Sequence, residues 1–249
     1  MTAELLLFPA GLLISLLCSS VGLGGGIFMV PLLLWLGLSP HTAVGTSLFA
    51  ITVVACSSTL AYALQRRVDY RTGLLLDSLD VPGAVVGAYL TTLLAGGTLS
   101  RLFGLVLLGV ACHLWLRRRT GREVPPSLTL RLVLVTMAGS FASGLVSGMF
   151  GIGGGIVDET VMLLALGMSL KLSAGTAMFG MSLTTLPAFL SHLLLGHFSP
   201  SYALPLAAGC ALGGPLGALT SRRLSTRTLQ RMLAVVILAV GIRMVLWAG

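Results

Sequence analysis

The chain has 249 residues, 56% of them hydrophobic and 9% charged, with a mean hydropathy of +1.02. Soluble proteins carry about 45–50% apolar and about 25% charged residues, so a soluble surface cannot be built here, and disorder, a collagen repeat and a disulfide scaffold are excluded by the same numbers. The formal net charge of +8 comes from Arg residues and one Lys clustered between apolar runs, the pattern by which a membrane protein orients itself and not a nucleic-acid footprint.

In chain order, an apolar segment over 3–20 comes first. No basic n-region precedes it, so it reads as a retained membrane segment and not as a cleavable signal. It runs into GLGGGI at 22–27 and then a short apolar segment, 27–37. Segments 41–64, 71–95 and 99–116 follow, and an Arg-rich linker, 117–130, comes next. The order then recurs as 131–149, a second cluster GIGGGI at 151–156, a short segment 156–167, and the segments 171–195, 201–219 and 228–248. At about 1.5 Å per residue the long segments cross about 30 Å of hydrocarbon, whereas the two short ones do not. The first two segments of each half therefore predict a helical hairpin that dips into the bilayer and turns at its glycines. The four cysteines, Cys18, Cys56, Cys112 and Cys210, lie inside apolar segments without a CxxC pair, so neither a disulfide framework nor a zinc site is expected.

The two halves are copies of one unit. LGLSPHTAVGTSLF at 36–49 returns as LGMSLKLSAGTAMF at 166–179, and the same offset pairs Gly83 with Gly213, Gly87 with Gly217 and Arg101 with Arg231. The predicted fold is an all-α polytopic membrane protein of two inverted-topology repeats, 1–116 and 131–249, each a Gly-rich broken hairpin plus three spanning helices. Charge supports the inversion. Loop 65–72 holds Arg66, Arg67 and Arg71, while its counterpart 195–202 holds no basic residue except the histidine. Loop 220–227 holds Arg222, Arg223 and Arg227, while its counterpart 95–98 holds none. Equivalent loops acquire opposite biases when they face opposite sides, with Arg inside. With linker 117–130 in the cytoplasm, both termini lie outside.

Inverted repeats with interrupted helices place a transport site near the midplane. A GGG run leaves backbone N–H groups without intrahelical partners, and at a helix start these donors and the helix dipole favour an anion. Gly24, Gly25 and Gly26, with Gly153, Gly154 and Gly155, are therefore the candidate substrate-binding backbone. Close helix packing is the alternative use of such glycines. Gly45-Thr46-Ser47 and Gly175-Thr176-Ala177 form a second matched patch, in which the hydroxyls of Thr46, Ser47 and Thr176 would bond either an anionic oxygen or helix backbone. Acids are scarce. Asp158 and Glu159 follow the second cluster where the first half has Met29 and Val30, and Asp77 and Asp80 stand where the second half has Ala207 and Cys210. Carboxyl groups at membrane depth are functional candidates, so Asp158, Glu159 and Asp80 are proton-coupling candidates. Asp77 fits a solvated helix end better. His41 and Lys171 read as interface anchors, and His113, His192 and Arg243, near segment ends, as placed at the interface or locally hydrogen-bonded. No catalytic motif, metal site or cofactor site is expected.

GLGGGIFMVPLL at 22–33, followed by LGLSPHTAVGTSLF and a second copy about 130 residues on, resembles the sulfite exporter TauE/SafE family of membrane permeases over almost the whole chain. The second copy departs from it at GIVDETVML, with Thr160 in place of the proline that matches Pro31. The resemblance implies a secondary transporter in the bacterial cytoplasmic membrane for a small anion, sulfite or a short organosulfonate such as sulfoacetate, with the glycines above and the pairs Gly45-Thr46 and Gly175-Thr176 as family positions. Expected partners are the anionic substrate and membrane lipid, with no nucleic acid; a homo-oligomer is left open. A cation or metal permease using Asp158, Glu159 and Asp80 is the alternative, and a membrane-embedded enzyme or accessory protein a weaker one.

Overall fold

The structure, a computed structural model, describes residues 2–116, 130–221 and 226–247. Nearly all of the Arg-rich linker lies outside these residues, as do Arg222 and Arg223. The described residues form helices only: α1 (Thr2–Ser19), α2 (Gly26–Trp35), α3 (Pro40–Leu64), α4 (Tyr70–Thr92), α5 (Gly96–Leu116), α6 (Leu130–Phe150), α7 (Gly155–Leu164), α8 (Leu170–Leu194), α9 (Pro200–Thr220) and α10 (Thr226–Trp247). All ten coincide with the segments expected from sequence. Among the described residues, α3, α4, α5, α6, α8 and α9 are long and apolar enough to cross a membrane. The 10-residue helices α2 and α7 are about 15 Å long and reach only partway.

Local chemistry sets the helix starts. Ser39 and Ser169, matched positions, each cap the following helix by accepting an N–H three residues on, from Thr42 and Leu172. Asp69 caps α4 by accepting from the N–H groups of Arg71 and Thr72.

The bundle inverts the soluble pattern. Its outside carries large apolar side chains such as Leu60, Leu64, Leu93 and Leu194, while hydroxyls such as Ser19, Ser47, Ser143 and Thr184 are buried. Lipid accepts the first set, and interhelical contact satisfies the second. Helix α1 packs on α9, α4 on α6, α5 on α10 and α3 on α8, with α3 also against α9 and α4 against α8. Exchanging the two halves maps this set of pairs onto itself.

Residue contacts repeat the exchange. A Cβ at Gly45 would strike the backbone carbonyl of His197, and one at Gly175 would strike that of Arg67. The equivalent helices α3 and α8 therefore lie antiparallel, start against end. Gly83 and Gly87 meet the backbone at Phe141 and Leu145, while Gly213 and Gly217 meet it at Leu12 and Leu16, so α4 runs parallel to α6 and α9 parallel to α1.

Candidate functional site

Each hairpin turns on left-handed glycines. Gly25 (φ 108°) and Gly154 (φ 74°) are the N-caps of α2 and α7, a backbone region that side chains disfavour. Neither cap has a side chain that bonds the helix start. The first N–H groups of both short helices thus lack a side-chain cap, as well as an intrahelical partner.

The two turns meet inside the bundle. A Cβ at Gly26 would collide with the carbonyl of Gly151, and one at Gly155 would lie 2.9 Å from the carbonyl of Gly22. Ile51 of α3 and Met181 of α8 fill the space between them: both lie beside Gly24 and both beside Gly153. These two side chains, matched positions themselves, occupy the point where the two uncapped helix starts come closest.

The hydroxyl patch divides. Ser47 joins the second turn, its Oγ donating to the carbonyl of Gly151 at 3.1 Å and to that of Val44 at 2.8 Å. Thr46 and Thr176 face the ends of the bundle. Thr46 Oγ1 accepts the N–H of Ser199 at 3.2 Å, and Thr176 Oγ1 accepts the N–H of Asp69 at 3.0 Å. Each ties its helix to the loop that starts α9 or α4, so their visible bonds are to backbone.

The acids divide as well. Asp158 and Glu159 are neighbours in α7, buried at 2% and 1% exposure. Asp158 Oδ2 and Asp80 Oδ2 lie 3.3 and 3.4 Å from the place a Gly154 Cβ would take, with Ser143 Oγ 2.8 Å from it. Glu159 acts electrostatically on Tyr62, whose hydroxyl donates to the carbonyl of Ser19 at 2.7 Å. Asp77 corrects an expectation. It is no solvated helix end but 5% exposed, and Thr184 Oγ1 sits 2.9 Å from its Oδ1 and 2.7 Å from Asp80 Oδ2. Sequence reading missed Thr184 and Ser143 because a hydroxyl in an apolar helix carries no signal until its neighbours are known.

One end of the bundle is closed by rings. Phe49, Phe189 and Phe198 pack mutually with centroids 5.1–5.6 Å apart. His197 lies between His41 and His192, at 5.1 and 5.6 Å. His192 Nε2 is 2.8 Å from the carbonyl of Gly148, the local bond expected of it. His197, in the α8–α9 loop, has its pKa lowered by burial and then by His41.

Comparison with known proteins accords with this architecture. The family model described as sulfite exporter TauE/SafE matches residues 7–244. "Probable membrane transporter protein YunE" of Bacillus subtilis is 32% identical, over 96% of each chain. A "Probable membrane transporter protein" of Xylella fastidiosa is 30% identical over 96% of this chain and 93% of its own. "Probable membrane transporter protein MJ0441" of Methanocaldococcus jannaschii is 23% identical over 97% and 95%. No solved structure matches the chain.

Proposed function

The chain belongs to the sulfite exporter TauE/SafE family and is an integral membrane transporter, not an enzyme, and from that premise we propose that its cargo is a small anion, sulfite or a short organosulfonate such as sulfoacetate, moved by secondary transport. The observation that carries the reading is the meeting of two uncapped helix starts, at Gly25–Gly26 and Gly154–Gly155. Two positive dipole ends without side-chain caps lie beside Ile51 and Met181, an arrangement that suits a compact anion. Withdrawal of those two side chains would admit it. The hairpins enter from opposite sides in the inverted repeats 1–116 and 131–249, with the Arg-bearing loops in the cytoplasm.

Movement of an anion works with or against about 2.3 kcal/mol per charge per 100 mV of membrane potential. Proton co-movement changes that balance, and Asp158, Asp80 and Glu159 are the groups proposed to carry it. A cation permease built on the same three acids has less support, because among the described residues no group of three or more His, Cys, Asp or Glu side chains is placed to hold a metal ion.

The test is a thermal-shift screen of the purified full chain against sulfite, sulfoacetate and other short sulfonates, carboxylates and divalent cations. Stabilisation by sulfite or a sulfonate is expected, since a ligand that binds only the folded state raises its stability. Stabilisation by divalent cations alone would replace this reading with the cation permease.

A further inference from the structure

The two halves use equivalent backbones, so each serves as a control for the other. Where α4, α6, α7 and α8 meet, the second hairpin is lined by Ser143, Asp158, Asp80, Asp77 and Thr184. The equivalent positions around the first hairpin hold Ile14, Met29, Cys210, Ala207 and Val54. The apolar set packs the same architecture, so the fold does not require the polar one. A buried carboxyl also costs free energy that the apolar set avoids.

Hydrogens can be counted in this cluster. Thr184 has one hydroxyl proton and two carboxyl oxygens within 2.9 Å. It can donate to one of them only; the other contact is a hydrogen bond only if that carboxyl carries a proton and donates to Thr184. Ser143 spends its proton on the carbonyl of Gly154 at 2.9 Å, so toward the adjoining Asp80 and Asp158 its oxygen can only accept. Asp77 Oδ2, Asp80 Oδ1 and Asp158 Oδ1 are buried without a hydrogen-bond partner, on residues 5%, 0% and 2% exposed. No Lys, Arg or His bonds any of these three acids among the described residues. Glu159 is the remaining acid of α7, and α6 and α8 add no titratable group to the cluster. The oxygens of Asp77 and Asp80 converge on a hydroxyl and not on an open point, which is a geometry for sharing protons and not for holding a metal ion.

An approach to the cluster lies on α6. Thr136, Ser140 and Ser143 are spaced along one buried stripe that continues to Ser147, and the hydroxyls of Thr136, Ser140 and Ser147 have no hydrogen-bond partner. Helix α6 runs parallel to α4, so Thr136 is at the end of the bundle that carries Arg66 and Arg67. The equivalent residues on α1 are Leu7, Gly11 and Ile14.

We propose that Asp77, Asp80 and Asp158, joined through Thr184 and Ser143, form a proton-holding site reached along the Thr136–Ser140–Ser143 stripe. This deepens the proton-coupled reading above and rests on it. At least one proton resides in the site at neutral pH and is exchanged along that stripe.

The test is infrared spectroscopy of the full chain reconstituted in vesicles, which reads the carbonyl stretch of a protonated buried carboxyl without any cargo. A band present at neutral pH is expected, lost in Asp80→Asn, shifted in Thr184→Val and retained in Thr184→Ser. Its deuterium exchange should slow several-fold in Thr136→Val combined with Ser140→Ala. Absence of the band in the unmodified protein overturns the proposal, as does a band that appears only when sodium is withdrawn, or one unchanged by Asp80→Asn and Thr184→Val. Unaltered exchange in the α6 variant overturns the path. The anion screen is independent of this measurement: a chain without sulfite or sulfonate binding that keeps the band loses its cargo assignment alone.

Discussion

A methyl group at Gly154 would share its space with Ser143 Oγ, 2.8 Å away, and with carboxyl oxygens of Asp158 and Asp80. At Gly25 it would meet Met29 Cε at 2.9 Å and Ile14 Cγ2 at 3.2 Å, both flexible ends. Both residues also have the left-handed backbone that costs a side chain about 1–2 kcal/mol. Gly154→Val and Gly25→Val are therefore expected to abolish transport while leaving folded protein, judged by vesicle flux alongside size-exclusion profile. Normal flux in both variants would remove the turns from the cargo path. The acids separate the same way. Asp158→Asn is expected to remove most of the dependence of flux on an imposed pH gradient. Full dependence retained in both Asp158→Asn and Glu159→Gln would show that these acids serve structure. Thr46→Val deletes the acceptor of the part-buried Ser199 N–H, a loss of about 0.5–1.5 kcal/mol for one hydrogen bond. Its thermal inactivation midpoint should fall while cargo affinity holds.

Helix α4 is pressed against α6 through backbone. A Cβ at Gly148 would strike the carbonyl of Ala84, whereas one at Gly109, on the lipid side of α5, would meet nothing within 4 Å. Gly148→Leu should shorten the half-life of the protein at elevated temperature, with an overpacking cost of about 1–3 kcal/mol or more, while Gly109→Leu should be near neutral. Equal half-lives would mean that the α4–α6 contact is slack. The helices themselves were legible in the sequence because lipid imposes a length on every crossing and glycine marks each break. Which way a residue faces was less legible. Asp77 looked like a helix end from its place near the start of an apolar run, but α8 packs over it and buries it. Asp158 and Glu159 looked like one unit, yet successive helical positions lie about 100° apart. Thr46 and Thr176 were legible as a matched pair, but their bonds to opposite loops depend on how α3 and α8 pack against each other.

Across the whole molecule, the antiparallel pairing of α3 with α8 puts the α3–α4 loop and the α8–α9 loop at opposite ends. Arg71 and Ser201, matched positions and both exposed, should then label from opposite sides when changed singly to cysteine in a cysteine-free background, Ser201 from outside. Labelling of both from one side would refute the inverted arrangement. The exchange of contacts between halves has a further consequence. If the two hairpins held slightly different conformations, trading those conformations would generate a second state with the same set of packing contacts, open to the other side. A perfectly duplicated chain would populate both states equally and have no direction. Here the degeneracy is lifted where the halves differ, and the acids and hydroxyls around Gly154 and the rings around His197 are among those places. The buried acids are the differences whose charge can change, so protonating them is a lever by which the molecule can be tilted one way or the other.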